Sequence, residues 1–223
     1  MSYLENPRGH VVFDCDGTLI SSQESIYEGL SELMTIILER EVTIDEARLK
    51  YAADLVTVAN NFDLEPENDP ELQHKLITTW REVASKQKHQ FRLFPGIKDL
   101  ILELTKKEYQ LYVWTARDRQ STLRILKDLE VAQYFLEFRC LDDCEPKPSP
   151  VGLEQMVGDI PRDNIVMIGD SYPDLYGASS FGCKSIAACW AADDLDQYLA
   201  KYDPSALAKA PQDCLKLIEK LIG

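Results

Sequence analysis

The chain has 223 residues, 45% of them hydrophobic and 28% charged, which is enough apolar material for a packed core and enough length for one domain with a large insert, or for two. A formal charge of −14 argues against a nucleic-acid or anionic-membrane partner, because phosphate surfaces reward patches of Lys and Arg. No stretch approaches the roughly 18 apolar residues of a bilayer span, and MSYLENPRGH lacks the apolar run of a secretory signal, so a soluble, cytoplasmic protein is expected.

The six cysteines form no CxxC pair, and none of the three histidines stands at zinc-ligand spacing, so reduced, buried thiols are expected. Residues 10–14 (HVVFD) read as a short buried strand of a parallel sheet. Ser21 with Glu24, and Thr43 with Glu46, make capping boxes; the second opens a helix running to about Asn60. Pro70 suits a first helical position, and Leu72, Leu76, Ile77, Trp80 and Val83 continue the apolar stripe. Residues 20–91 therefore read as a helical insert.

After FPG (94–96) the rhythm changes. A helix near 96–107 leads to a strand over 109–115, a helix over 119–130, a weak strand at 138–141 and a short helix near 150–157. NIVMIGD (164–170) is another buried-strand run, a helix follows from Pro173, and KSIAAC (184–189) is one more strand before two short closing helices. Strands alternating with helices predict a Rossmann-like doubly wound α/β sheet. It would be built from residues 1–19 and 92–223, with 20–91 as an inserted α-helical cap. Such sheets bind ligands at the carboxyl ends of their strands.

Three predicted strands end in polar residues: Asp14 with Asp16, Thr115, and Asp170, while Lys147 precedes the last of them. Residues two apart in an extended segment point the same way, so Asp14 and Asp16 can face one cleft. Asp170 and Asp174 bring the carboxylates to four, a cluster that must raise its pKa values or bind a cation. All-oxygen donors favour Mg²⁺. Asp14 suits a nucleophile that takes a phosphoryl group, and Asp16 suits the acid and base on the leaving oxygen and the attacking water. Lys147 supplies positive charge where negative charge gathers, and Thr115 a hydroxyl donor. Gly17 admits close backbone approach to a phosphoryl group. Gly17, Thr18, Thr115, Ala116, Arg117 and Lys147 are the substrate-binding candidates, and the expected partner is a small phosphorylated metabolite.

FDCDGTLI (13–20), VWT (113–115), Lys147 within EPKPSP and IGDSYPD (168–174) together resemble the haloacid dehalogenase-like hydrolases, four motifs in order. The chain is most similar to the helical-cap branch that holds phosphoglycolate phosphatase-like and β-phosphoglucomutase-like enzymes. The resemblance implies that Asp14 and Asp170 ligate Mg²⁺ by side chain and Asp16 by its backbone carbonyl. Asp174 would orient Lys147 or a water on the metal. It also implies a phosphatase working through an aspartyl phosphate, since dehalogenating members lack the second acid. Where the branch commonly follows the threonine with asparagine, this chain has Ala116 and Arg117, which leaves the substrate open.

Singly, each motif has a plainer reading: DCDGT is also an Asx-rich turn, and GDSYPD a strand end with an N-cap. Arg117 can face the phosphate or simply start a helix. Tyr27, Arg48, Lys50, His74 and Arg81 of the insert can contact a substrate or sit on a solvated face. A phosphosugar mutase, a phosphoprotein phosphatase and a non-catalytic binding module remain as alternatives to the phosphatase.

Overall fold

A computed structural model describes residues 4–21, 23–52, 54–86, 91–192 and 194–223. It divides into two compact units, one of Met1–Ser21 with Phe91–Gly223 and one of Ser22–Gln90.

The first unit is built on a sheet of six strands among the described residues: β1 (Gly9–Phe13), β4 (Tyr109–Trp114), β5 (Glu137–Arg139), β6 (Ile165–Gly169), β7 (Lys184–Ala188) and β8 (Ala206–Ala208). Their order is β5-β4-β1-β6-β7-β8 and every pairing is parallel. Every residue of β1, β4 and β6 is buried, as strands covered on both faces must be. Side chains alternate between two cores. Val11, Phe13, Leu111, Val113, Val166 and Ile168 face one layer, with α5 (Ile97–Lys106), α6 (Arg119–Asp128) and α10 (Pro211–Ile222), while the short α9 (Leu195–Ala200) joins β7 to β8. Val12, Tyr112, Trp114 and Met167 face the other, with α7 (Val151–Val157) and α8 (Tyr172–Phe181). This is the expected Rossmann-like α/β fold. The chain runs from β1 to β4 and β5 on one side and then starts β6 on the other, so the strand order reverses at β1. A separate two-stranded antiparallel ribbon, β2 (Ile20–Ser21) and β3 (Arg92–Leu93), pairs the segments that lead out to residue 22 and back from residue 90.

The second unit holds α1 (Gln23–Leu38), α2 (Ile44–Leu49), α3 (Leu55–Asn61) and α4 (Pro70–Lys86), around a core of Leu30, Leu33, Met34, Val58, Phe62 and Leu76. Trp80 packs against that core. Arg48 bonds Asp45 Oδ1 at 2.8 Å and lies over the Tyr27 ring.

Four expectations need correcting. The helix expected from Thr43 to Asn60 is two, because Asp54 caps a fresh start at Leu55 by accepting from Thr57 N at 2.9 Å. Thr43 does cap α2, accepting from Glu46 N. Ser21 lies in β2 rather than at a helix start, and the Glu24 side chain of that expected box lies outside the described residues. The strand β8 was not expected, since Ala-Leu-Ala carries no β-branched residue, and α10 is twelve residues rather than short. No helix among the described residues is long and apolar enough to cross a membrane.

Candidate active site

Register sets the site. Phe13 pairs with Val113 on one side and Ile168 on the other, so three neighbouring strands end at one level. Asp14 follows Phe13 and donates its N–H to the Ile168 carbonyl at 2.9 Å. Thr115 follows Trp114, with its N–H on the Arg139 carbonyl. Asp170 follows Gly169. A cleft of about 530 Å³ opens there, lined among others by Asp14, Asp16, Thr115, Arg117, Lys147 and Asp174.

Lys147 is the hub. Its Nζ donates to Asp14 Oδ1 at 2.7 Å and to Asp174 Oδ1 at 2.5 Å. The lysine side chain is 3% exposed, that of Asp14 8% and that of Asp174 1%, so this charge triad has left bulk water. Its third neighbour is aromatic: Nζ stands 4.8 Å from the centre of the Trp114 ring. Two glycines make room for that indole. A Cβ on Gly152 would stand 2.3 Å from its Nε1, and one on Gly177 2.5 Å from its Cη2.

Asp174 is held from its other oxygen, which accepts from Ser171 N at 3.1 Å and Ser171 Oγ at 2.5 Å. Ser171 is also the N-cap of α8, so the start of a helix fixes the rotamer of a site carboxylate. Asp14, Asp170 and Asp174 each offer an oxygen within 4.8 Å of the others'. Asp170 packs against Gly17, whose φ of +83° and missing side chain are both required: a Cβ there would lie 2.0 Å from Asp170 Oδ2.

The electrostatics are those of a site short of positive charge. Burial pushes the Asp14 carboxyl well above its ordinary range; Lys147 pulls it down, while Asp174 and Asp170 push it further up. Burial, then Asp174, lift Asp170 to about 7. Burial opposes the charge on Lys147, but Asp14 and Asp174 outweigh it and raise its pKa. Cys15, between the two aspartates, is fully buried, and burial with those neighbours pushes its thiol well up, so it is inert.

Asp16 is held differently. Arg117 donates from Nε to Asp16 Oδ2 at 2.8 Å and from Nη2 to Oδ1 at 2.6 Å, a two-pronged ion pair. The Thr115 hydroxyl oxygen accepts from Arg117 N at 3.1 Å. Ala116 lines the cleft between them. Thr18, expected beside the substrate, is fully buried, and its hydroxyl makes a long contact of 3.5 Å to Asp170 Oδ1. Trp114 and Ser171 were not among the expected site residues. Ser171 had a readable signal, the Ser-x-x-Asp box ending on Asp174; Trp114 had none, because it continues a buried strand.

A sequence profile of the haloacid dehalogenase-like hydrolases matches residues 11–188. The chain belongs to that family. It is 24% identical over 217 residues to the pyrophosphatase PpaX of Bacillus mycoides, covering 96% of this chain and 98% of that one. A Clostridium difficile protein provisionally described as a phosphatase superposes with a TM-score of 0.83 at 17% identity, covering 96% and 100% of the two chains. A Thermotoga maritima protein provisionally described as a β-phosphoglucomutase gives 0.75 at 19% identity, covering 96% and 99%. At these identities the solved structures speak for the fold. The hydrolase family resemblance read from the four motifs therefore holds.

Proposed function

We propose that the chain is a Mg²⁺-dependent phosphatase that hydrolyses a small phosphomonoester through an aspartyl phosphate on Asp14. The observation that carries this reading is the buried Asp14–Lys147–Asp174 triad at the strand ends, with Asp170 in reach and Asp16 one turn of chain away.

The donor set suits a hard cation. It is all carboxylate oxygen, and Asp14 and Asp170 are pushed upward by burial first and by their carboxylate neighbours second, two costs that a divalent ion would offset. Asp14 and Asp170 would hold Mg²⁺ by side chain and Asp16 by its backbone carbonyl. Both oxygens of Asp174 are already engaged by Lys147 and Ser171, which suits a residue that orients the lysine. The ion, when bound, neutralises phosphoryl charge and lets two anions meet.

The residues divide the remaining work. An Asp14 oxygen attacks phosphorus, and the bond from phosphorus to the leaving oxygen breaks. Asp16 gives that oxygen its proton, then takes one from the water that attacks phosphorus and returns Asp14 as a carboxylate. Lys147, locked by its two partners and the indole, holds positive charge beside the equatorial oxygens without having to reorganise. The Thr115 hydroxyl donates to one of those oxygens. In this reading the helical unit is the cap.

A second reading, hydrolysis of pyrophosphate, is favoured by the full-length similarity to PpaX. The same attack on phosphorus serves it, with phosphate as the leaving group. The test is turnover of a panel of phosphate esters and pyrophosphate with Mg²⁺. Asp14→Asn is expected to lower kcat by at least about a thousandfold at unchanged melting temperature, and chelation of divalent ions to silence the wild type. Wild-type rates in Asp14→Asn would remove the nucleophile; turnover in the chelator would remove the metal.

A further inference from the structure

Arg117 stands where sequence reasoning placed a phosphate contact, but its guanidinium is turned to Asp16 rather than to the triad around Lys147. A guanidinium has two usable forks. The side fork, Nε with Nη2, is spent on the two Asp16 oxygens. The end fork, Nη1 with the second hydrogen of Nη2, has no hydrogen-bond partner among the described residues. The flat face lies over the Phe91 ring, 4.9 Å from its centre, which steadies the plane while using none of its N–H groups. The side chain is 22% exposed and lines the cleft, whereas Lys147, the other cation on that wall, is committed to Asp14 and Asp174.

The charges on the cleft wall give that spare fork a purpose. Five aspartates (14, 16, 118, 170 and 174) face two cations, and a divalent ion on Asp14 and Asp170 would still leave the wall formally negative, so an oxyanion away from Lys147, the ion and Arg117 meets net repulsion. Asp16 is the residue assigned to the leaving oxygen, and Arg117 is tied to Asp16. A group held on the end fork is therefore held beside the bond that breaks.

We propose that Arg117 anchors an oxyanion carried by the leaving group. The substrates would then be phosphate esters or anhydrides whose departing half bears a carboxylate or phosphoryl group of its own. This deepens, and rests on, the reading of the cleft as a phosphoryl-transfer site. Arg117 acts as a specificity determinant: it bridges Asp16 on one edge and the leaving group on the other. A neutral alcohol gains nothing from the end fork. An anionic one gains two charge-assisted hydrogen bonds, which offset the repulsion of Asp16 and Asp118.

The test is binding, by calorimetry with Mg²⁺ present, of three non-hydrolysable probes to the wild type and to Arg117→Gln. Methylphosphonate carries only the phosphoryl mimic, phosphonoacetate adds a carboxylate, and methylenediphosphonate adds a second phosphoryl group. In the wild type at least one of the two doubly functional probes should bind about tenfold or more tighter than methylphosphonate. Arg117→Gln should erase that advantage, weakening the preferred probe about ten- to a hundredfold and methylphosphonate about twofold. Whether the carboxylate or the second phosphoryl is preferred identifies the leaving group. Arg117→Lys, which keeps the charge but loses the fork, should fall between the two and guards against misfolding of the glutamine variant. Equal weakening of all three probes, or no advantage of either extended probe in the wild type, overturns the proposal. Because no probe turns over, this outcome is independent of Asp14→Asn, whose failure would instead sink the catalytic reading.

Discussion

At the scale of single residues, the two adjacent carboxylates of DCDGT have opposite surroundings. Asp14 is buried against Lys147, whereas Asp16 is half-buried on the Arg117 fork. If Asp16 carries the proton to the leaving oxygen, Asp16→Asn should hurt poor leaving groups most. The expected loss is about a hundredfold or more in kcat/KM for an alkyl phosphate and about tenfold or less for 4-nitrophenyl phosphate, whose leaving oxygen needs no proton. A series of aryl phosphates spanning leaving-group pKa measures this as a steeper slope in the variant. Identical slopes would show that Asp16 does something else. Asp14, Thr115 and Asp170 were legible in the sequence because each follows the last residue of a buried strand, whereas Lys147, in a loop, and Asp174, in the first turn of α8, were legible only through the order of the motifs. The ion pair from Arg117 to Asp16 was not, since nothing in the spacing of residues 16 and 117 shows that the two loops meet.

At the scale of elements, the central strands were readable because a strand buried on both faces is mostly apolar, and each carries an unbroken apolar run: VVF, LYVW and IVMI. The edge strand β8 was not, because three residues of Ala-Leu-Ala gain their pairing from β7 rather than from their own propensity. The break between α2 and α3 was missed for a related reason: the Asp54 cap competes with helix continuation, and only packing decides which wins. The pairing of β1 with β4 also buries a histidine. His10 lies 4% exposed, its Nδ1 3.0 Å from the Tyr112 hydroxyl, and burial lowers its pKa to about 4. The sign follows directly. Below about pH 6.5 the unfolded chain protonates His10 while the folded chain keeps it neutral, so its contribution is complete above about 6.5 and is lost as pH falls toward 4. A shift of this size corresponds to about 3 kcal/mol in total. Unfolding of the wild type and His10→Phe in urea at pH 7.5 and pH 4.5 tests it: the variant should lose less stability between the two, by about 2 to 3 kcal/mol. Parallel losses would mean that His10 does not titrate with folding.

At the scale of the whole molecule, the formal charge of −14 and the proposed substrate have the same sign. Enzymes steered by an opposite field slow down as salt is added; this one should do the reverse. At about 10 mM ionic strength the Debye length is about 30 Å, and the approaching ester feels most of the carboxylates; near 150 mM it is about 8 Å, and only the groups lining the cleft remain in play. Those groups include Lys147, which at 3% exposure is shielded from salt, and Arg117, which is partly exposed. Salt therefore removes long-range repulsion sooner than it removes short-range attraction. With free Mg²⁺ held constant, kcat/KM for a dianionic ester should rise about two- to fivefold between 10 and 150 mM NaCl, while kcat changes little because the bound substrate no longer crosses the field. A steady fall in kcat/KM over that range would mean that the local cations dominate at a distance. The burial of the lysine and the ion pairing of the arginine argue against that outcome, because each cation is already largely neutralised by the aspartates it touches.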